Sequence, residues 1–402
     1  MHILVECSGY ELLNLGDMAM LVAGYERLQK LWPHATMHVV TNSPQRLAEH
    51  CPGAVPVPLG WPTGALRTVL SHRGRVALSW AHKVLAPELI ARLAPPDALL
   101  DPVRRADVVV STGGGFVNDS FRLHAAGVLN LLAAAQRLGR PTAMFGQGIG
   151  PLTSRPVLRR ARLVLPRLRT LGMREPTSAA MLRAMGVPAR VMSVTGDDAL
   201  ALAGAGRAAA VGTALGVNVR VTRYTGMDSA VVQRLRREVT RFAAAEVAPG
   251  GRVVSLPISR HGDEDLRATE SVLPELPAVE SVSADIHSPA QLADAVAGCR
   301  AVLTSSYHAG VFALARGIPV VGLSRSSYYD LKFEALRVLF PDGACNTVRL
   351  DAHDWPDTLA DRLSHAWHAP YELRTDITAA AARMADSSQR LYERFAAEVD
   401  PS

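Results

Sequence analysis

A histidine at a helix start, an arginine at a strand end and two runs of glycine are the residues here whose types and spacing could do chemistry. In AVLTSSYHAGVFALARGIPVV a strand pattern ends at Thr304-Ser305-Ser306 and a helical pattern begins with Tyr307-His308-Ala309. An imidazole so placed lies beside small polar groups and free backbone N–H groups, where a phosphate or carboxylate is welcome. It also titrates near neutral pH, as a general acid or base must. The segment TLGMRE carries Arg174 to a strand end, where a guanidinium matches a carboxylate or phosphate bidentately. An ion pair with Glu175 or Asp198 is the structural alternative. Asp17, in Asn14-Leu15-Gly16-Asp17, opens the first helix either as a cap or as a carboxylate facing a cleft. Gly113-Gly114-Gly115 and Gly146-Gln147-Gly148-Ile149-Gly150 read as two glycine-rich loops on one sheet edge, able to offer backbone donors at close approach. Neither is a dinucleotide fingerprint or a phosphate-binding loop of the Walker type. Arg220, Arg260, His261 and Asp263 follow two further strand patterns, and Lys332 lies in YYDLKF.

These residues need a frame that sets strand ends side by side, and the hydrophobic pattern supplies one. HILVEC, TMHVV, ADVVVST, PTAMFGQG, TLGMRE and VMSVTG are short apolar runs, as expected of parallel strands buried on both faces. Amphipathic segments such as 18–30, 121–138 and 177–185 separate them. The rhythm fades in the small-residue stretch 203–212 and restarts with ALGVNVR, RVVSLPIS, AVESVSA, AVLTSS and PVVGLS. The expected fold is α/β: two Rossmann-like doubly wound parallel sheets, in domains 1–205 and 206–402, with a long alanine-rich C-terminal helix over 371–399. Ligands of such sheets sit beyond the carboxyl ends of the strands, and a cleft between two domains is the expected place for a site. The segment 60–83 mixes Trp61 and Trp80 with arginines and histidines; it reads as an ordinary amphipathic helix or as a lid.

At 402 residues and 48% hydrophobic composition the chain can build two large cores. No apolar run approaches the ~20 residues of a membrane span, and the opening strand is too short for a signal-peptide core, so a cytoplasmic protein is expected. There are 43 basic and 37 acidic residues, net +6, and only three lysines: Lys30, Lys83 and Lys332. The arginines are densest at Arg155, Arg159, Arg160, Arg162, Arg167, Arg169 and Arg174, a stretch that fits either a solvated helix face or an anionic surface. No aromatic RNA-binding motif, zinc-finger spacing or basic tail points to nucleic acid. The four scattered cysteines fit a reducing compartment, and no metal-ligand cluster is legible.

Taken in order, N-L-G-D, S-T-G-G-G-F, G-Q-G-I-G-P, M-R-E-P-T-S, G-D-D-A-L and S-Y-H-A-G-V-F-A-L-A-R-G-I-P-V-V followed by a lysine resemble the polysaccharide pyruvyl transferase family over about residues 3–340. The resemblance implies an architecture similar to GT-B glycosyltransferases. It also implies transfer of a pyruvyl group from phosphoenolpyruvate to sugar hydroxyls as a cyclic ketal, with no cofactor or metal. It makes Arg174 a substrate-binding arginine and His308 the histidine of an Arg-Leu-His pattern, from which this chain departs at Ser306 and Tyr307. Lys332, Arg325 or Arg220 would then replace the missing cation. In this reading His308 is the acid and Asp17 takes a proton from the acceptor. Gly16, Gly113, Gly114, Gly115, Gly148, Ser305, Ser306, Arg220 and Arg260 line the substrate. The partners are phosphoenolpyruvate and a saccharide, with peripheral membrane contact if the acceptor is lipid-linked. A nucleotide-sugar glycosyltransferase and a non-catalytic sugar- or anion-binding relative are the other readings.

Overall fold

The computed structural model describes residues 1–59, 97–206, 210–221, 227–247, 250–262, 264–283 and 285–400. The 60–83 segment, Asp263 and part of the 203–212 stretch lie outside them. The described chain forms two compact units: Met1–Leu12, Met20–Thr195 and Ser388–Ser402 in the first, Leu13–Ala19 and Gly196–Ser387 in the second. The chain therefore returns to the first unit at Ser388, whereas the sequence pattern assigned the whole C-terminal helix to the second half.

The first unit holds β1 (His2–Glu6), β2 (Thr36–Val40), β3 (Val55–Val57), β4 (Val108–Ser111), β5 (Gly114–Val117), β6 (Thr142–Ile149), β7 (Thr170–Met173) and β8 (Met192–Val194). Their order is β3-β2-β1-β4-β6-β7-β8, with β5 pairing β6, and every pairing is parallel. The second unit holds β9 (Ala214–Asn218), β10 (Gly251–Ser255), β11 (Val279–Val282), β12 (Cys299–Thr304), β13 (Val320–Ser324) and β14 (Cys345–Arg349), in the order β11-β10-β9-β12-β13-β14 and again all parallel. Continuous apolar runs such as Val108–Val110 and Val320–Val321 are buried, because helices cover both faces of a sheet whose crossovers are helical. Strand order reverses direction between β1 and β4 in one unit and between β9 and β12 in the other, the places where an open sheet forms a crevice. Strands β3, β5 and β14 are additional to the sequence reading; β3 is three residues containing Pro56, too short to show alternation.

The glycine runs are not the open loops expected of them. Gly114 and Gly115 begin β5, and Gly146-Gln147-Gly148 lies inside β6. The reason is packing: a Cβ on Gly113 would stand 2.5 Å from Met20 Sδ and 3.2 Å from the Gly146 carbonyl, and one on Gly114 would enter the Phe116 ring. Small residues here let β5 close onto β6. The helix expected over 121–138 runs from Arg122 to Arg137, preceded by a turn in which the Asn118 side chain accepts the Ser120 and Phe121 N–H groups.

The last turns of the helix Tyr371–Val399 are held in the first unit by aromatic packing. Tyr392 stacks on Phe145 at 3.7 Å between centroids, Phe395 meets Phe145 and Trp32 edge-on, and the Arg27 guanidinium lies 5.2 Å from the Tyr392 ring centroid while donating to Ser388 Oγ. Phe395 is completely buried. Phe395→Ala is expected to cost about 3–5 kcal/mol of stability, read as a lowered denaturation midpoint at unchanged slope.

Candidate active site

The second unit gathers most of the expected residues around the reversal point of its sheet. Asn218, the last residue of β9, pairs in register with Thr304, the last of β12. Its amide donates to the Leu256 carbonyl, and its Oδ1 lies 3.1 Å from Thr304 Oγ1, which accepts the Ser306 N–H at 2.8 Å. Ser305 donates its N–H to the Asn218 carbonyl, and its hydroxyl oxygen accepts the Arg220 N–H at 2.7 Å. This mesh fixes the two strand ends and the helix Tyr307–Ala315, every residue of which is buried. A β-branched and small-polar sequence at the strand end thus becomes a rigid seat for the first helical turn.

His308 occupies that turn, with a side chain 9% exposed. Its ring rests on the backbone of Gly16: a Cβ at residue 16 would stand inside the imidazole, against Cγ and Nδ1. The N-L-G-D segment is held in place for this. Asn14 bridges Ser259, Leu15 N–H donates to the Ile258 carbonyl, and Arg260 N–H donates to the Leu13 carbonyl. The helix cap is Asn14, whose Oδ1 accepts the Gly16 and Asp17 N–H groups; Asp17 is half-buried in the first turn rather than the cap. On the other side, His308 Nε2 lies 3.8 Å from Oδ2 of the buried Asp197. Asp197 is oriented by the Ala199 N–H on its Oδ1, and Gly196 before it takes φ +73°, where a side chain would also meet Met384. The contact sets a carboxylate beside the imidazole. The sequence reading set the G-D-D loop beside Arg174; the structure also brings Asp197 of that loop to the histidine.

Cations surround the helix start. The Lys332 ammonium lies 4.5, 5.6 and 5.8 Å from the ring centroids of Tyr328, Tyr329 and Tyr307, and Tyr307 meets the His308 ring edge-on. Arg220 Nε is 3.4 Å from Oδ1 of Asp265, whose Oδ2 accepts the Ser259 N–H. Burial pushes the Asp265 carboxyl above its ordinary range, and the Arg220 charge opposes that rise. Sequence reading missed Asp265, because one acid among three in the segment 264–270 looks solvated. Arg260 turns its guanidinium to the Ile286 carbonyl and the His287 ring, and Arg325 pairs with Asp228.

The first unit brings its own candidates together. Arg174 is 3% exposed; its Nε donates to the Gly146 carbonyl at 2.9 Å and a terminal nitrogen to Met20 Sδ. Gly148 lies beside it, 3.7 Å from Arg174 Cδ to an added Cβ, in ordinary contact. Gly113–Gly115 flank the same strand end. Glu175 accepts from Thr177 and Ser178. Among the described residues no three His, Cys, Asp or Glu side chains group as metal ligands, and no helix is long and apolar enough to cross a membrane.

The model of the polysaccharide pyruvyl transferase family matches residues 14–327, from the asparagine that caps the first helix to the first residue of the helix after β13. The chain belongs to the polysaccharide pyruvyl transferase family. Among curated proteins no match is found. Solved structures share the fold at low identity. The UDP-GlcNAc 2-epimerase of Neisseria meningitidis, bound to UDP-GlcNAc, aligns with a TM-score of 0.62 and 12% identity over 98% of this chain and 99% of that one. HepE of Anabaena in complex with UDP gives 0.55 and 13% over 99% and 98%. The UDP-GlcNAc 2-epimerase of Methanocaldococcus jannaschii gives 0.59 and 12% over 96% and 99%. These place the pyruvyl transferase family member among GT-B-type folds.

Because the imidazole has no room to coexist with a methyl at residue 16, Gly16→Ala is expected to displace His308. Turnover should fall about 10²-fold or more, with an overpacking cost of about 1–3 kcal/mol. Gly148→Ala, which meets only ordinary contacts, should leave stability nearly unchanged. Paired activity and thermal melts of the two variants read both effects.

Proposed function

We propose that this family member transfers a pyruvyl group from phosphoenolpyruvate to two hydroxyls of a saccharide, forming a cyclic ketal and releasing phosphate. The observation that carries the reading is the buried His308, set at a helix start between Gly16 and the Asp197 carboxylate with Lys332 nearby. Its donor is an enol ester bearing a carboxylate and a phosphate, so it needs cations and a proton source at one place.

The steps balance without a cofactor. His308, as imidazolium beside Asp197, gives its proton to the methylene carbon of phosphoenolpyruvate, turning CH2 into CH3 and leaving an oxocarbenium-like centre. One sugar hydroxyl attacks that carbon and loses its proton, a role assigned to Asp17. The second hydroxyl then attacks the same carbon and the C–O bond to phosphate breaks. Asp17 passes its proton to the departing phosphate, and the proton of the second hydroxyl restores His308. Lys332, the Ser305–Ser306 helix start and Arg220 hold the anionic groups of the donor, and Lys332 stands in for the arginine absent at Ser306. Arg174 keeps the substrate-binding role that the family pattern gives it.

The fold relatives solved with UDP or UDP-GlcNAc favour a second reading, a nucleotide-sugar glycosyltransferase. Thermal unfolding separates the two. Ligand at ~100 times its dissociation constant stabilises a protein by ~2.7 kcal/mol. Phosphoenolpyruvate should raise the midpoint, UDP should not, and Lys332→Ala and Arg174→Ala should each remove the shift. His308→Gln should keep it while turnover falls about 10²–10⁴-fold. A shift with UDP and none with phosphoenolpyruvate would overturn the proposal.

A further inference from the structure

Several arginines of the second unit are paired with acids: Arg236 with Glu275, Arg241 with Glu238, Arg325 with Asp228, Arg337 with Glu334, and Arg349 with Asp330 and Asp351. In the first unit, the 55 residues between Asp119 and Glu175 contain ten arginines and no acidic residue. Six of these arginines, at 137, 155, 159, 162, 167 and 169, are exposed, and among the described residues none of the six makes an ion pair.

Their placement is ordered. On the helix Arg155–Val164, residues Val157, Ala161 and Val164 face the core. Arg155, Arg159, Arg162 and Leu163 fall at i, i+4, i+7 and i+8, one outward stripe. This helix packs beside Arg122–Arg137. The closeness is sharp enough that burial, and then the Arg137 charge, pull the Arg160 guanidinium below its ordinary range. Two leucines are exposed beside these arginines in the chain, Leu163 next to Arg162 at 53% and Leu138 next to Arg137 at 47% exposure.

We propose that this face of the first unit docks on an anionic phospholipid surface. Unneutralised like charges gathered on one stripe repel one another until a polyanion covers them. Arginine stems can lie along the lipid interface while their head groups meet phosphate, and Leu163 and Leu138 enter the headgroup region between them. A nucleic acid carries phosphates too, but the stripe offers apolar leucines where base recognition would use aromatic side chains. The surface is independent of the donor chemistry proposed above, so either can fail without the other.

The test is co-sedimentation of the full chain with vesicles of phosphatidylcholine alone or with roughly one-third phosphatidylglycerol. Binding should require phosphatidylglycerol and disappear at ~0.5 M NaCl, where charges are screened within a few ångströms. The triple variant Arg155→Gln, Arg159→Gln, Arg162→Gln should lose roughly fivefold in partitioning per arginine. The matched variant Arg236→Gln, Arg241→Gln, Arg337→Gln removes the same charge from paired sites and should bind like wild type. Leu163→Asp should weaken binding at constant fold, judged by its melt. Three results would overturn the proposal: no preference for phosphatidylglycerol, equal losses in the two triple variants, or complete displacement from vesicles by duplex DNA at equal phosphate.

Discussion

The closest constraint in the site is the van der Waals contact between the His308 imidazole and the backbone of Gly16. A side chain of any size at residue 16 would occupy the ring's own volume. Residues on distant parts of the sequence must therefore be held together to within a few tenths of an ångström. The bridge of Asn14 to Ser259 and the backbone hydrogen bonds of Leu13 and Leu15 with Arg260 and Ile258 do this from one side. The Thr304–Asn218 mesh beneath the helix start does it from the other. Side chains locked by packing and secondary hydrogen bonds give a reacting group one orientation, and orientation is a large part of what catalysis needs.

The same burial governs the electrostatics. With water largely excluded, the Asp197 carboxylate acts on the imidazole more strongly than it would on an exposed surface. Asp265 is kept company by Arg220 for a related reason: a carboxylate taken out of water is costly unless a cation or hydrogen bonds compensate it. Lys332 is held by three tyrosine faces, which attract an ammonium without neutralising it.

Much of this was legible in the sequence because it rests on short-range pattern. The apolar runs marked most strands, and the strand-to-helix transition at Thr304–Tyr307 placed His308 at its helix start. The polar motifs, read in order, led to the family. What remained hidden depended on three-dimensional neighbours. Asp197 and Asp265 are ordinary acids in sequence, and only folding sets them against His308 and Arg220. The glycines at 113–115 looked like a ligand loop because glycine's permissiveness serves both close ligand approach and close strand packing, and here Met20 and Phe116 claim the space. Gly16 shows the reverse case, in which an inconspicuous glycine is the floor beneath the histidine. The C-terminal helix was plain from composition, but its return to the first unit depends on Phe145 and Trp32, far away in the chain.

The central claim is that His308 protonates the methylene carbon of phosphoenolpyruvate. Running the reaction in deuterium oxide, with monosaccharides such as D-galactose and N-acetyl-D-mannosamine as acceptors, tests it most directly through the mass of the ketal product. The account predicts one deuterium in the new methyl group and loss of product formation in His308→Gln. A ketal without deuterium in its methyl group, undiminished formation by His308→Gln, or no ketal from any acceptor supplied would contradict it.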